Sequence, residues 1–86
     1  MALIITARFQ RAYHALPSHV RQKVQKALRL LVEDAGYPSL GVHRVQGTDR
    51  IYEARVDRSY RLSFQFEGQD ILLRNVDSHD ECLKNP

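Results

Sequence analysis

The chain has 86 residues, a formal net charge of +3 and a sequence pI of about 9.4. A hydrophobic fraction of 43% is ordinary for a folded protein, and this length suits one domain, so residues 1–86 are expected to form a single domain. No apolar run approaches the roughly 20 residues of a membrane-spanning helix, and the opening run at residues 2–5 is too short for a signal peptide. We therefore expect a cytoplasmic protein without a membrane partner.

The positive charge is concentrated in the first two thirds of the chain. Residues 1–65 carry 11 Lys/Arg and 5 Asp/Glu, whereas residues 66–86 carry 2 and 5. This distribution suits a partner that carries phosphates or an acidic protein, and a merely solubilising surface is the alternative. Cys82 is the single cysteine, and the four histidines have no zinc-ligand spacing, so neither a metal nor another cofactor is expected.

The first half of the chain predicts one strand followed by a helical hairpin. Residues 2–5 are apolar and partly β-branched, which indicates a buried strand. Thr6 can cap a first helix that runs toward Leu16, and Pro17 opens a second helix. Gly36 is expected to end the second helix in a left-handed cap before Pro38. An apolar stripe marks the second helix and comprises Val20, Val24, Ala27, Leu28 and Leu31.

After Pro38 the apolar pattern changes from helical spacing to alternation. The resulting fold class is α+β, with an N-terminal strand, a two-helix hairpin and then an antiparallel sheet packed on the helices. The predicted strands are residues 42–45, 51–57, 59–66 and 70–76, and residues 79–83 follow as a short helical turn.

One face of this sheet is predicted to be apolar, and the opposite face to carry arginines. Alternation places Arg55, Arg61 and Arg74 on that opposite face, one from each of three strands. A register shift of one residue would move each side chain to the other face. The guanidinium group binds phosphate well, so this face is a candidate surface for a nucleic acid.

Five segments, spread over nearly the whole chain, form a specific combination. They are Leu16-Pro17, His43-x-Val45-x-Gly47, YEARV at 52–56, SYRL at 59–62 and LRNVDSHD at 73–80. Together they resemble the RelE/ParE superfamily of toxin–antitoxin toxins, and in particular its RelE/YafQ-like mRNA interferases.

The resemblance implies a RelE/ParE-like fold and a toxin that a cognate antitoxin protein holds silent. RelE-like members are metal-independent endoribonucleases that cut mRNA, commonly on the ribosome, by attack of the RNA's own 2′-hydroxyl on the adjacent phosphate. ParE-like members poison DNA gyrase instead. The leading hypothesis is therefore an mRNA endoribonuclease toxin that inhibits translation. The alternative is a gyrase poison, or a catalytically inactive relative that acts as a protein-binding module.

The resemblance also implies roles for individual residues. Arg61 matches the arginine of the family's YR strand, which is a phosphate-stabilising position. His79 matches the C-terminal histidine of YafQ-like members, which is a general acid/base position. His43 matches another histidine of that subgroup and is expected to bind the substrate. Arg55 and Arg74 are expected to bind the substrate as well, because their charge can hold the RNA backbone.

These residues also have alternative roles. An ordinary cross-strand ion pair with Glu53 or Asp57 is the alternative for Arg61. A surface histidine near a frayed C-terminus is the alternative for His79. The neighbouring Asp80 is expected to cap the short terminal turn.

Overall fold

The structure is a computed structural model that describes residues 2–86. The α+β class predicted from the sequence is confirmed. Within residues 2–86, no helix combines the length and the apolar character needed to cross a membrane. The strands are β1 (Leu3–Ile5), β2 (His43–Arg44), β3 (Tyr52–Arg55), β4 (Tyr60–Glu67) and β5 (Asp70–Ser78). The helices are α1 (Ala7–His14), α2 (Ser18–Glu33) and α3 (His79–Lys84), and a short 3₁₀ helix covers Pro38–Leu40.

The strands form a mixed sheet in the order β1-β5-β4-β3-β2. Strands β2 to β5 pair antiparallel, as predicted. β1 pairs parallel with β5, and Leu3 lies opposite Ile71. The parallel edge was not predicted, because a three-residue apolar strand does not indicate the direction of its partner. The start of the chain is thereby joined to its last strand.

The main core lies between the sheet and the pair α1 and α2. The helical spacing of the apolar stripe is confirmed, since all its members but Leu28 are buried, and Leu28 is partly buried. The sheet contributes the buried side chains of Ala54, Leu62, Phe64, Ile71, Leu73 and Val76.

The end of α2 differs from the prediction. The helix ends at Glu33, and Asp34 follows in an extended conformation with φ −161°. Gly36 does not adopt a positive φ, so the predicted left-handed cap at this residue is wrong. The Oδ1 atom of Asp34 instead accepts a hydrogen bond from the Gly36 N–H at 2.9 Å. This local turn through an aspartate side chain takes the place of a left-handed glycine.

A β-bulge determines which side chains of β5 face the helices. Ser63 lies opposite Asn75, and the next residue, Phe64, lies opposite Leu73, so Arg74 is the extra residue on β5. The bulge shifts the alternation by one residue, because two residues on one strand then oppose one on the other. Leu73 and Val76 are consequently both buried in the core, although three positions separate them.

Thr6 joins the start of α1 to β5. Its Oγ1 accepts a hydrogen bond from the Phe9 N–H at 3.1 Å and donates one to the Leu73 carbonyl at 2.8 Å. The predicted N-cap is therefore confirmed.

The substitution Thr6→Ala removes both hydrogen bonds at this junction. We expect the free energy of unfolding to fall by about 1–2 kcal/mol, which is the usual cost of losing a helix N-cap. The variant Thr6→Ser keeps the hydroxyl group and should stay close to the wild type. Urea unfolding followed by circular dichroism measures both variants. Equal losses in the two would contradict a role for the hydroxyl.

Candidate functional site

The sheet face away from α1 and α2 is polar, and α3 packs on part of it. Four cross-strand neighbours, one from each of β2 to β5, form a polar row on this face: His43, Glu53, Ser63 and Asn75. The polar face predicted from alternation therefore exists. Its centre is buried rather than open to solvent, because Glu53, Ser63 and Asn75 are 1%, 0% and 7% exposed.

Glu53 is the charged residue at the centre of the polar row. Its Oε1 atom lies 3.7 Å from Nε2 of His43 and 3.9 Å from Nε of Arg61. Its other oxygen, Oε2, is buried and has no hydrogen-bond partner among residues 2–86. The Oγ atom of Ser63, directly opposite on β4, is also buried; it makes no hydrogen bond of ordinary geometry within residues 2–86, although its approach to the Cys82 thiol opposes the rise in the pKa of that group. Two polar groups thus lie side by side without the hydrogen bonds that buried polar groups usually make.

Arg61 lies beside this carboxylate and contacts its own loop. Its Nη1 donates to the carbonyl oxygens of Asp57 at 2.5 Å and Tyr60 at 2.9 Å. These contacts and the approach to Glu53 engage Nη1 and Nε, and none of them engages Nη2. The side chain is 13% exposed. The cross-strand ion pair with Glu53 considered from the sequence is therefore present, although long.

Asp57 organises the loop between β3 and β4. Its Oδ1 accepts from the N–H groups of Ser59 and Tyr60 at 2.8 and 2.9 Å, and its Oδ2 lies 3.3 Å from the Lys23 ammonium. Burial alone would raise the pKa of Asp57, but the two backbone N–H groups and the lysine outweigh it and lower the pKa. The ionised carboxylate thereby holds the loop whose carbonyls anchor Arg61.

The three arginines predicted to share a face are not one cluster. Arg55 is exposed and lies directly opposite Arg61. It also lines a cleft of about 420 Å³ beside α2, together with Lys23 and Lys26. Arg74 is the bulged residue, and it donates to Gln65 at 2.7 Å and to the Pro86 carbonyl at 3.3 Å. Arg55 and Arg61 are therefore cross-strand neighbours, whereas the guanidinium of Arg74 lies at the end of α3.

The two candidate histidines are both accessible to solvent. The His43 side chain is 58% exposed, and its Nδ1 lies 2.9 Å from the Gly41 carbonyl oxygen. His79 is the first residue of α3, and its side chain is 48% exposed. Its Nδ1 lies 3.4 Å from Asp80 Oδ1. Ser78, rather than the predicted Asp80, is the N-cap of α3, because its hydroxyl accepts from the N–H of residue 81.

His79 is held to the same end of the sheet as Arg61. Its backbone N–H donates to the Ser59 carbonyl at 2.7 Å. The preceding residue, Ser78, lies opposite Tyr60, and Asp77 lies opposite Arg61. The chain therefore enters α3 beside the strand end that carries Arg61.

The far end of α3 is held by side chains from α1 and β5. Arg8 donates to the carbonyls of Asn85 and Pro86, the latter at 3.2 Å. Asn75 donates to the Asn85 carbonyl at 2.9 Å, and Arg74 reaches Pro86. α3 is therefore hydrogen-bonded to the rest of the fold at both ends.

Cys82 fixes the middle of α3 against the sheet. The thiol is 0% exposed. Burial raises the pKa of Cys82 to about 11, and the negative charges of Glu53 and Asp77 add to the shift. This cysteine is thus a packing residue whose thiol stays protonated in the folded protein at neutral pH.

Sequence reasoning missed the burial of Glu53 and Cys82. Alternation places Glu53 opposite the core face, but the cover that α3 provides depends on where a short terminal helix docks. Glutamate in the YEARV segment was considered only as an ion-pair partner. Within residues 2–86, no three or more His, Cys, Asp or Glu side chains are grouped so that they could hold a metal ion.

No family model matches the chain, and no curated protein sequence matches it. Solved structures show that the fold is the RelE/ParE toxin fold, as the sequence resemblance implied. The chain is similar to the YoeB/ParE toxin from Agrobacterium tumefaciens, with TM-score 0.76, 14% identity and coverage of 92% of this chain and 99% of that one. It is also similar to YafQ from E. coli strain BL21(DE3), with TM-score 0.78, 10% identity and coverage of 93% and 94%. A chain of the RelB–RelE antitoxin–toxin complex from Methanococcus jannaschii gives TM-score 0.72, 15% identity and coverage of 96% and 98%.

The Cys82 thiol should make the stability of the fold depend on pH in the alkaline range. The pKa of about 11 in the folded protein exceeds the ordinary value of 9.0, so the unfolded thiol ionises first as the pH rises. Stability from this group is complete below pH 9.0 and is lost as the pH approaches about 11.

We therefore expect the free energy of unfolding to decrease across this range, and to decrease less steeply in Cys82→Ala. Urea unfolding at several pH values measures both slopes. Lysine and tyrosine groups titrate in the same range, so the comparison between the two proteins isolates the thiol. Parallel slopes would rule out the thiol as the cause.

Proposed function

We propose that the chain is the toxin of a type II toxin–antitoxin system. In this proposal it inhibits translation as a metal-independent mRNA endoribonuclease, and a cognate antitoxin holds it silent. The observation that carries the proposal is that His43 and Arg61 lie 3.7 and 3.9 Å from the same oxygen of Glu53. The backbone N–H of His79 in turn donates to the Ser59 carbonyl, just before the strand that carries Arg61. RNA cleavage by the 2′-hydroxyl needs a base, an acid and a cation at the phosphate, and these residue types supply all three.

In this proposal, Arg61 stabilises the negative charge that develops on the phosphate in the transition state. Its Nη1 donates to two backbone carbonyls and its Nε lies 3.9 Å from Glu53, which orients the guanidinium, and none of these contacts engages Nη2. Arg55 directly opposite supplies a second cation. Like charges directly opposite one another on neighbouring strands are destabilising, and an anion between them removes that cost. The pair therefore favours a phosphate as its ligand.

The histidines are assigned to proton transfer and to substrate contact. An imidazole can exchange a proton near neutral pH, and His79 is exposed enough to reach a bound RNA. When Nδ1 of His43 donates to the Gly41 carbonyl, its Nε2 carries the lone pair and can accept a proton or a hydrogen bond. Arg74 is better assigned to holding the end of α3, because its guanidinium is engaged there.

A second candidate is a protein-binding module without catalysis, such as a gyrase poison or an inactive relative. The observation that favours it is that two backbone carbonyls and Glu53 already engage Arg61. An arginine held in this way also suits a purely structural role.

Cleavage in cells separates these candidates. The wild type should cut mRNA at a fixed position within codons. Arg61→Ala and His79→Gln should each reduce this cleavage by roughly 100-fold or more, because each removes a group that acts in the transition state. Mapping mRNA 5′ ends after induction measures this. Arg11→Ala and His19→Gln, which change exposed residues elsewhere, are the matched controls. Growth arrest with intact mRNA and damaged DNA would instead identify a gyrase poison.

The role of Arg55 in substrate binding is tested with purified protein. RNA binding by the His79→Gln variant is measured over a range of salt concentrations, with and without the further change Arg55→Ala. Loss of one phosphate contact should weaken binding and reduce the slope of log affinity against log salt by about 0.7. An unchanged slope would show that Arg55 does not contact the RNA backbone. Arg11→Ala is again the control.

A further inference from the structure

We infer that Glu53 is a positioning residue of the candidate site, and that a single buried carboxylate oxygen holds both His43 and Arg61 in place. The inference rests on the proposed function and deepens it. It assigns a role to a residue that neither the alternation of the sequence nor the resemblance singled out as functional.

The burial of Glu53 is not explained by stability. The nearest nitrogens of His43 and Arg61 lie 3.7 and 3.9 Å from Oε1, which is beyond the usual N···O distance of about 2.7–3.2 Å for a direct hydrogen bond. Its Oε2 has no partner among residues 2–86. Removing a carboxylate from water costs more than such long ion pairs return. An uncharged amide of the same shape would be easier to bury at this position.

The strand register explains how one carboxylate reaches both groups. His43 on β2 lies directly opposite Glu53, and so does Ser63 on β4. Arg61 precedes Ser63 by two positions and therefore shares its face of the sheet. Glu53 thus lies between the two strands that carry the candidate residues. The His43 ring then has an oxygen near each nitrogen, from Gly41 on one side and from Glu53 on the other.

Every element around Glu53 adds to this arrangement. β2 contributes His43, β4 contributes Arg61 and Ser63, and α3 covers the carboxylate with the buried Cys82. The negative charge of Glu53 helps to raise the pKa of the Cys82 thiol, which agrees with a carboxylate beneath α3. Because α3 keeps water away, the attraction between Glu53 and its two partners is stronger than it would be at the surface.

The role assigned to Glu53 is orientation, not proton transfer. The carboxylate is enclosed, whereas His43 is largely exposed and Arg61 keeps one amino group free of the contacts described above. Misplacing a reacting group by about 1 Å can reduce a rate by roughly 100-fold. Loss of the Glu53 charge should therefore reduce the rate of cleavage more than the affinity for RNA.

The test compares three purified variants with the wild type. Glu53→Gln keeps the shape and removes the charge, Glu53→Asp keeps the charge on a shorter side chain, and Glu33→Gln changes an exposed carboxylate elsewhere. We expect Glu53→Gln to melt at or above the wild-type temperature, to keep its KM, and to lose roughly 10- to 100-fold in kcat. Glu53→Asp should retain more activity than Glu53→Gln, and Glu33→Gln should match the wild type.

A second measurement needs no RNA cleavage. The imidazole resonances of His43 and the Nε–H resonance of Arg61 should change in Glu53→Gln, whereas those of His19 should not. If the wild type cleaves no RNA, the proposed function fails, and these resonances still test the position of Glu53. The inference is overturned if they are unchanged, if kcat is unchanged, or if Glu53→Gln fails to fold, since the last result would assign Glu53 to stability.

Discussion

The bulge at Arg74 is the local feature on which the arrangement of the polar face depends. Without the extra residue, strict alternation along β5 would turn Val76 away from the helices and Asn75 toward them. With it, the core side of β5 remains apolar along its length, and Asn75 and Asp77 join the face that carries Arg61. The bulged arginine itself is directed to the end of α3. One inserted residue thus keeps the core side of β5 apolar, places Asn75 and Asp77 on the polar face and contributes a contact to the terminal helix.

Most of the elements could be predicted from the sequence, because they depend on local patterns. The hydroxyl of Thr6 and the apolar stripe of α2 are features of a single helix, and the alternation of β4 is a feature of a single strand. The features that could not be predicted are relations between distant segments. The direction of β1 depends on β5, and Gly36 is not the cap of α2 because the side chain of Asp34 competes for that role.

In the candidate site, too, the local features could be predicted from the sequence, and the relations between distant segments could not. The sequence resemblance selected Arg61, His43 and His79, and the structure brings the first two to opposite sides of one carboxylate. The burial of that carboxylate was not predictable, because it requires α3 to fold back over β4 and β5. From the sequence alone, an ion pair and a functional role are alternatives for Arg61. The geometry makes them compatible, since one edge of the guanidinium faces Glu53 while Nη2 is not used in these contacts.

The junction between Thr6 and Leu73 has a consequence for synthesis of the chain. The hydrogen bond from the Thr6 hydroxyl spans 67 positions, and β1 finds its partner only in β5. Contacts between such distant segments generally form slowly, because the intervening chain must first be brought together. While the ribosome is still producing the chain, α1 and α2 therefore have an incomplete sheet to pack on, and the polar row has no α3 above it. The complete polar row, from His43 to Asn75, is assembled only after the last strand has been made.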